Sequence, residues 1–174
     1  MRGSRSAMKD KIYNVLFICT GNSARSIMAE AIMNDLGRGR FRAYSAGSDP
    51  RGTVHPLTLE VLTHQGYDVV GLRSKRWTEF ALPDAPPMDF IFTVCDQAAG
   101  EVCPAWPGQP VTAHWSFADP AAVAGGREQQ LRAFTQAEFH IANRLRLFMS
   151  LPLNKLDHLS LQTQLNEMGM QCHQ

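Results

Sequence analysis

Val15-Leu16-Phe17-Ile18-Cys19-Thr20-Gly21-Asn22-Ser23-Ala24-Arg25-Ser26 runs from an unbroken apolar stretch into the start of an amphipathic one. An apolar run with no polar alternation predicts a strand buried on both faces, here over residues 12–18. Gly21 and its small polar neighbours predict a short loop. Ile27, Met28, Ala31, Ile32 and Leu36 share one face of a helix over residues 26–36, and Gly37 supplies its stop. A strand, a tight loop and a helix N-terminus therefore carry a thiol at the loop's start and a guanidinium at its end. Successive loop amides and the positive end of the helix dipole suit a tetrahedral oxyanion. The planar fork of Arg25 can grip two of its oxygens. The same field is expected to lower the pKa of Cys19 and supply a thiolate at neutral pH. Thr20, Gly21, Asn22, Ser23, Ala24, Arg25 and Ser26 are read as an oxyanion-binding loop around a Cys19 nucleophile that attacks phosphate or something of its shape. The plain alternative is a buried cysteine beside a surface arginine. The flanking strand and helix, with Gly21, weigh against it.

Outward from this stretch, strand and helix patterns alternate. Phe41 to Ser45 reads as a second strand ending at Ala46-Gly47. Pro56 fits the first turn of a helix carrying Leu57, Val61 and Leu62, with Gly66 after it. Phe90 to Val94 is a third buried strand leading into Cys95, and Val111 to His114 a shorter fourth. A long helix over 127–149 carries Leu131, Phe134, Ile141, Leu145 and Phe148 in register, and an amphipathic piece from Asn154 to Met168 follows. This alternation predicts a single α/β domain, with a central parallel sheet of about four strands and helices on both faces. The domain is placed at residues 9–150, with 151–174 a C-terminal amphipathic extension and tail. Residues 1–8, Met1-Arg2-Gly3-Ser4-Arg5-Ser6-Ala7-Met8, read as expression-vector sequence.

In such a sheet, ligands sit beyond the carboxyl ends of the strands. The loop after strand one, Cys95 after strand three, and His114 to Pro120 after strand four all fall there. Asp119, fixed by the proline that follows it, is a candidate general acid for a leaving oxygen. Alone, an Asp-Pro pair is more often a turn former.

The chain has 174 residues, 44% hydrophobic, with a formal net charge of +1. That length supports one well-cored domain. Near-neutral charge argues against nucleic acid as a partner, and no apolar run reaches the ~20 residues of a membrane span. The apolar run before Cys19 is too short for a signal peptide. Four cysteines are too few for a disulfide scaffold, and their spacing offers no metal-binding pair except Cys172-His173 at the tail, so no metal is predicted. Cys95 and Cys103 bracket a small polar segment containing Gly100. Two thiols in such a segment suit a chain of thiol–disulfide exchanges, beyond the one thiol that phosphate-ester hydrolysis needs.

Together these motifs are specific. Cys19 to Ser26, Tyr44-Ser45-Ala46-Gly47, Thr93-Val94-Cys95-Asp96 with Cys103-Pro104, His114-Trp115 and Asp119-Pro120 resemble the arsenate reductases of the low-molecular-weight tyrosine phosphatase superfamily. The resemblance runs from about Tyr13 through the long helix. It implies that Cys19 forms an adduct with arsenate, that Cys95 resolves it with release of arsenite, and that Cys103 takes over the disulfide. It also implies no bound cofactor and an external reductant: thioredoxin, a glutaredoxin or a low-molecular-weight thiol. The family's setting, the bacterial cytoplasm, is expected here too. Many relatives have a second cysteine where this chain has Ala24. Some bind a monovalent cation near positions matching Asn22, Glu30 and Ser45, but no complete set is recognisable. A tyrosine phosphatase on the same scaffold is the second reading. It is weakened because residues 48–55 lack the aromatics that wall a phosphotyrosine slot. A silent oxyanion-sensing module is the third, and the intact Cys19, Arg25, Cys95, Cys103 and Asp119 set argues against it.

Overall fold

The computed structural model describes residues 11–95 and 106–171. Cys103 and Cys172 lie outside the described residues.

Four strands, β1 (Tyr13–Cys19), β2 (Phe41–Gly47), β3 (Phe90–Thr93) and β4 (Val111–His114), form one sheet in the order β2-β1-β3-β4. All neighbours are parallel: Cys19 lies beside Gly47, Ile18 beside Thr93, and Thr93 beside His114. The helices are α1 (Arg25–Leu36), α2 (Pro56–His64), α3 (Arg127–Met149) and α4 (His158–Gln171). These are the expected elements of an α/β domain with a parallel sheet. Val15 to Ile18 are wholly buried, as an unbroken apolar run at the sheet's centre requires.

Alternation along the strands sorts the core. Phe41, Phe90 and Phe92 point to one face, where Phe148 of α3 meets all three at ring separations of 5.1–5.5 Å. Tyr44 points to the other, against Phe80 of the short 3-10 turn Trp77–Phe80. Helix α1 packs on β1, β2 and α3 and is buried almost all round; Ile27, Met28, Ile32 and Met33 have no exposed surface. Glu30 is the one charge in its middle.

Helix α4 lies along β4, the edge of the sheet. Gln162 accepts from the Thr112 N–H at 3.1 Å and donates to the Thr112 carbonyl, so one side chain pairs both backbone groups of an edge residue. The Trp115 indole N–H donates to the Leu165 carbonyl at 2.9 Å, and Arg144 of α3 donates to that of Met168. Among the described residues no helix is long and apolar enough to cross a membrane.

Candidate active site

The loop after β1 is shaped by two backbone constraints. Asn22 adopts φ 45°, a left-handed conformation that Asn tolerates better than most residues. Gly47, at the end of β2, lies so close that a Cβ there would come within 2.5 Å of the Thr20 carbonyl oxygen. Only glycine admits this approach, which lets the Ser48 and Asp49 N–H groups donate to the carbonyls of Cys19 and Thr20.

Cys19 is 3% exposed at the base of the loop. Its sulfur accepts from the Asn22 N–H at 3.3 Å and lies 2.9 Å from the Ser26 hydroxyl. That hydroxyl also accepts from Asn22 Nδ2 at 2.8 Å, which leaves it one proton and one lone pair for the sulfur: it donates to a thiolate and accepts from a thiol. The Asn22 amide is oriented in turn by the Lys75 N–H, which donates to Oδ1 at 2.8 Å. Asn22 Nδ2 also reaches Ser45 Oγ at 3.0 Å, and Ser45 donates to Glu30 at 2.5 Å. The Lys75 ammonium completes the cluster, 3.5 Å from Ser45 Oγ, 3.9 Å from Glu30 and 2.7 Å from the Arg73 carbonyl. Every buried polar side-chain atom among the described residues has a partner.

Asn22, Glu30 and Ser45 thus come together, and Lys75 is the residue that sequence reasoning missed. It stands in a polar stretch with no periodic signal. Its backbone is brought in by the Gly47 N–H, which donates to the Lys75 carbonyl. Burial pushes the Glu30 carboxyl up and the Lys75 ammonium down, each against the other's charge. Among the described residues no group of three or more His, Cys, Asp and Glu side chains is arranged as metal ligands would be.

The pKa expectation for Cys19 needs correction. Burial pushes its thiol up. The Ser26 hydrogen bonds act against that, and the charge of Arg25 helps least. The reason lies in where Arg25 points. Its Nη1 donates to the Phe117 carbonyl at 3.0 Å, and Nη2 stands 3.6 Å from the Asp119 carboxylate. The guanidinium is shared with the segment after β4 rather than spent on the sulfur.

That segment carries Asp119 to the cavity. Its Oδ1 caps the 3-10 turn Pro120–Ala122 by accepting from the Ala121 N–H at 3.0 Å, and its side chain remains 41% exposed. Cys95, buried just beyond β3, places its sulfur 3.3 Å from the Thr20 N–H and 3.6 Å from the Thr20 hydroxyl. Cys19 and Cys95 are both free thiols. Cys19, Arg25, Cys95 and Asp119 line one open cavity of about 920 Å³, with Arg51 and His55 from the loop between β2 and α2.

The family of low molecular weight phosphotyrosine protein phosphatases matches residues 14–158. An arsenate reductase of Halalkalibacterium halodurans is 34% identical over 134 residues, which is 77% of this chain and 93% of that protein. A solved structure described as an arsenate reductase in the phosphate binding state is 26% identical, with a TM-score of 0.66 over 80% of this chain and 98% of its own. The thioredoxin-dependent arsenate reductase of Corynebacterium glutamicum is 26% identical, with a TM-score of 0.57 over 87% of this chain and 68% of its own. The sheet order, the loop between Cys19 and Arg25 and these likenesses agree: the chain belongs to the low-molecular-weight phosphotyrosine protein phosphatase family and, within it, to the group of the arsenate reductases.

Proposed function

We propose that this protein reduces arsenate to arsenite through three thiols. The Cys19 thiol passes its proton to the arsenate dianion as it binds, and the thiolate then displaces an arsenate hydroxyl, which leaves as water with a proton from Asp119, giving a Cys19–arsenate adduct. Arg25 and the loop amides carry the charge of the remaining oxygens. The Cys95 thiolate then attacks the Cys19 sulfur. The sulfur–arsenic bond breaks, its electron pair stays on arsenic, and As(III) leaves as arsenite. The Cys19–Cys95 disulfide carries the two oxidising equivalents. Cys103 attacks Cys95, frees Cys19 and leaves a Cys95–Cys103 disulfide for an external dithiol to reduce. A thioredoxin-type reductant is the first choice, because a structural relative is thioredoxin-dependent.

The observation that carries this reading is the place of Cys95. A phosphatase needs one thiol in its loop, and this cavity holds a second, hydrogen-bonded to the residue next to the nucleophile. Hydrolysis of phosphate esters is the second reading, supported by the same Cys19, Arg25 and Asp119. Arsenite release and p-nitrophenyl phosphate hydrolysis, measured side by side with and without a thiol reductant, separate the two. Cys95→Ser should end multiple turnover of arsenate and spare slow ester hydrolysis. Cys103→Ser should accumulate a Cys19–Cys95 disulfide in non-reducing peptide maps, where the wild type accumulates Cys95–Cys103. Normal arsenate turnover by Cys95→Ser, with neither disulfide in the wild type, would leave the phosphatase.

A further inference from the structure

The cavity carries a second guanidinium that the scheme above does not use. Arg51 sits in the loop between β2 and α2, and its N–H donates to the Gly21 carbonyl at 2.9 Å. Its side chain runs over that glycine so closely that a Cβ at position 21 would lie 3.1 Å from Arg51 Nε and 3.3 Å from its Cγ. Gly21 thus makes room for an arginine against the oxyanion loop, and that arginine lines the same cavity as Cys19 and Arg25.

The two guanidiniums differ in what they already hold. Arg25 is engaged with Phe117 and faces Asp119. Arg51 is exposed, and among the described residues no carboxylate forms an ion pair with it. His55 stands on the same wall. Its Nδ1 accepts from the Leu57 N–H at 3.1 Å and its ring packs 4.6 Å from Phe134. Burial and the charge of Arg51 hold this imidazole below its ordinary range. At neutral pH the cation on the wall is therefore Arg51. Among the described lining residues Phe117 is the only one with a phenyl ring, a poor wall for an aryl ester.

We propose that Arg51 is a specificity-determining residue, whose guanidinium pairs with an oxygen that is free on a small inorganic oxyanion and substituted on an aryl ester, and so tilts this site toward inorganic oxyanions over aryl phosphate esters. It rests on the reading of the Cys19–Arg25 loop as an oxyanion cradle. An aryl phosphate is a dianion too at neutral pH, so the difference lies in one oxygen: the exposed fork of Arg51 meets a free oxygen on arsenate or phosphate where an ester presents its substituent.

The test uses the full chain with Arg51→Met, which keeps a stem over Gly21 without the charge, and Arg51→Lys. Inorganic phosphate is titrated as protector of Cys19 against alkylation, by iodoacetate (anionic) and iodoacetamide (neutral), with modification at Cys19 followed by peptide mass. Arg51→Met should weaken phosphate protection about tenfold, the scale of one charged hydrogen bond, and lower the iodoacetate-to-iodoacetamide rate ratio. The KM for arsenate should rise by a similar factor with kcat near wild type, and the KM for p-nitrophenyl phosphate should move less. Arg51→Lys should fall between. Unchanged protection and rate ratio in Arg51→Met would overturn the proposal. So would an equal loss with both reagents, which marks a prop for the loop. The alkylation arms contain no arsenate. Arg51-dependent protection in a protein that fails to reduce arsenate would sink the reductase reading and keep this one; a wild type that phosphate does not protect would sink the cradle and this proposal with it.

Discussion

The two sides of the loop from Cys19 to Arg25 are built differently. Behind it, Asn22, Ser26, Ser45, Glu30 and Lys75 form a network held by partners at 2.5–3.9 Å. In front of it, Arg51 is exposed, Asp119 is half-buried, and the thiols of Cys19 and Cys95 are unjoined. The back fixes where the sulfur and the loop amides sit, since each network member is oriented by the next. The front leaves its groups free to change partners, as the proposed relay, with its successive bonds to one sulfur, demands. Substitutions in front should therefore move rates and leave folding alone, and substitutions behind should do the reverse first.

The sharpest break comes where the two sides meet. Cys19→Ser should abolish arsenate reduction and any ester hydrolysis, and Arg25→Lys should reduce both severely, because a point charge cannot replace the fork. Near-normal turnover and oxyanion affinity in Arg25→Lys would show that the loop is not an anion cradle. In front, Asp119→Asn should slow adduct formation by roughly 10²–10⁴-fold in pre-steady-state mixing, with the melting temperature unmoved. It also frees Arg25 from a carboxylate, so the pH profile of Cys19 alkylation by iodoacetamide should shift to lower pH. An unchanged first step would remove Asp119 as the acid.

Behind the loop, Lys75→Met leaves the Glu30 charge without its ammonium and should destabilise the fold by about 3 kcal/mol in urea unfolding. Its pH dependence has a sign. Glu30 in the fold holds its proton more tightly than an unfolded glutamate does, so its burial is easiest at acid pH and penalises the fold as pH rises through its raised pKa. The Lys75→Met loss should be larger at pH 8 than at pH 5. A loss that does not vary with pH would mean that Glu30 and Lys75 are not coupled. The smallest effect belongs to His55, whose folded pKa lies below the unfolded value. Stability should fall as pH drops from its unfolded value of about 6.5, because the fold must then bury or charge an imidazole it prefers neutral. His55→Gln should flatten that slope, and an unaltered slope would clear His55 of it.

Strand and helix periodicity made the frame legible. Val111–His114 and Arg127–Met149 begin and end where the pattern put them, and the three strand ends bring Cys19, Cys95 and Asp119 to one cavity. The network behind the loop was only half legible. Asn22, Glu30 and Ser45 were in view only as positions matching a cation site of some relatives, and Lys75 enters through the Gly47–Lys75 hydrogen bond, a long-range pairing with no trace in local pattern. Arg51 and His55 were hidden for the same reason: a loop's lateral position depends on what it packs against. The Cys19 expectation failed because loop and dipole suggested a bare field, and three-dimensional packing added burial and turned Arg25 toward Asp119.

Trp115 gives the molecule an optical reporter of its own. Its ring has no exposed surface, lies 4.0 Å from the Phe92 ring and is anchored by its N–H to Leu165 of α4. It is also the residue from which the chain turns into Ser116 to Asp119. Its emission is therefore set by an apolar, hydrogen-bonded cage, and red-shifts and weakens when α4 lifts from the sheet edge. With Trp77 and Trp106 replaced by phenylalanine, one wavelength would follow the docking of the last helix and, next door, the strand end that leads to Asp119.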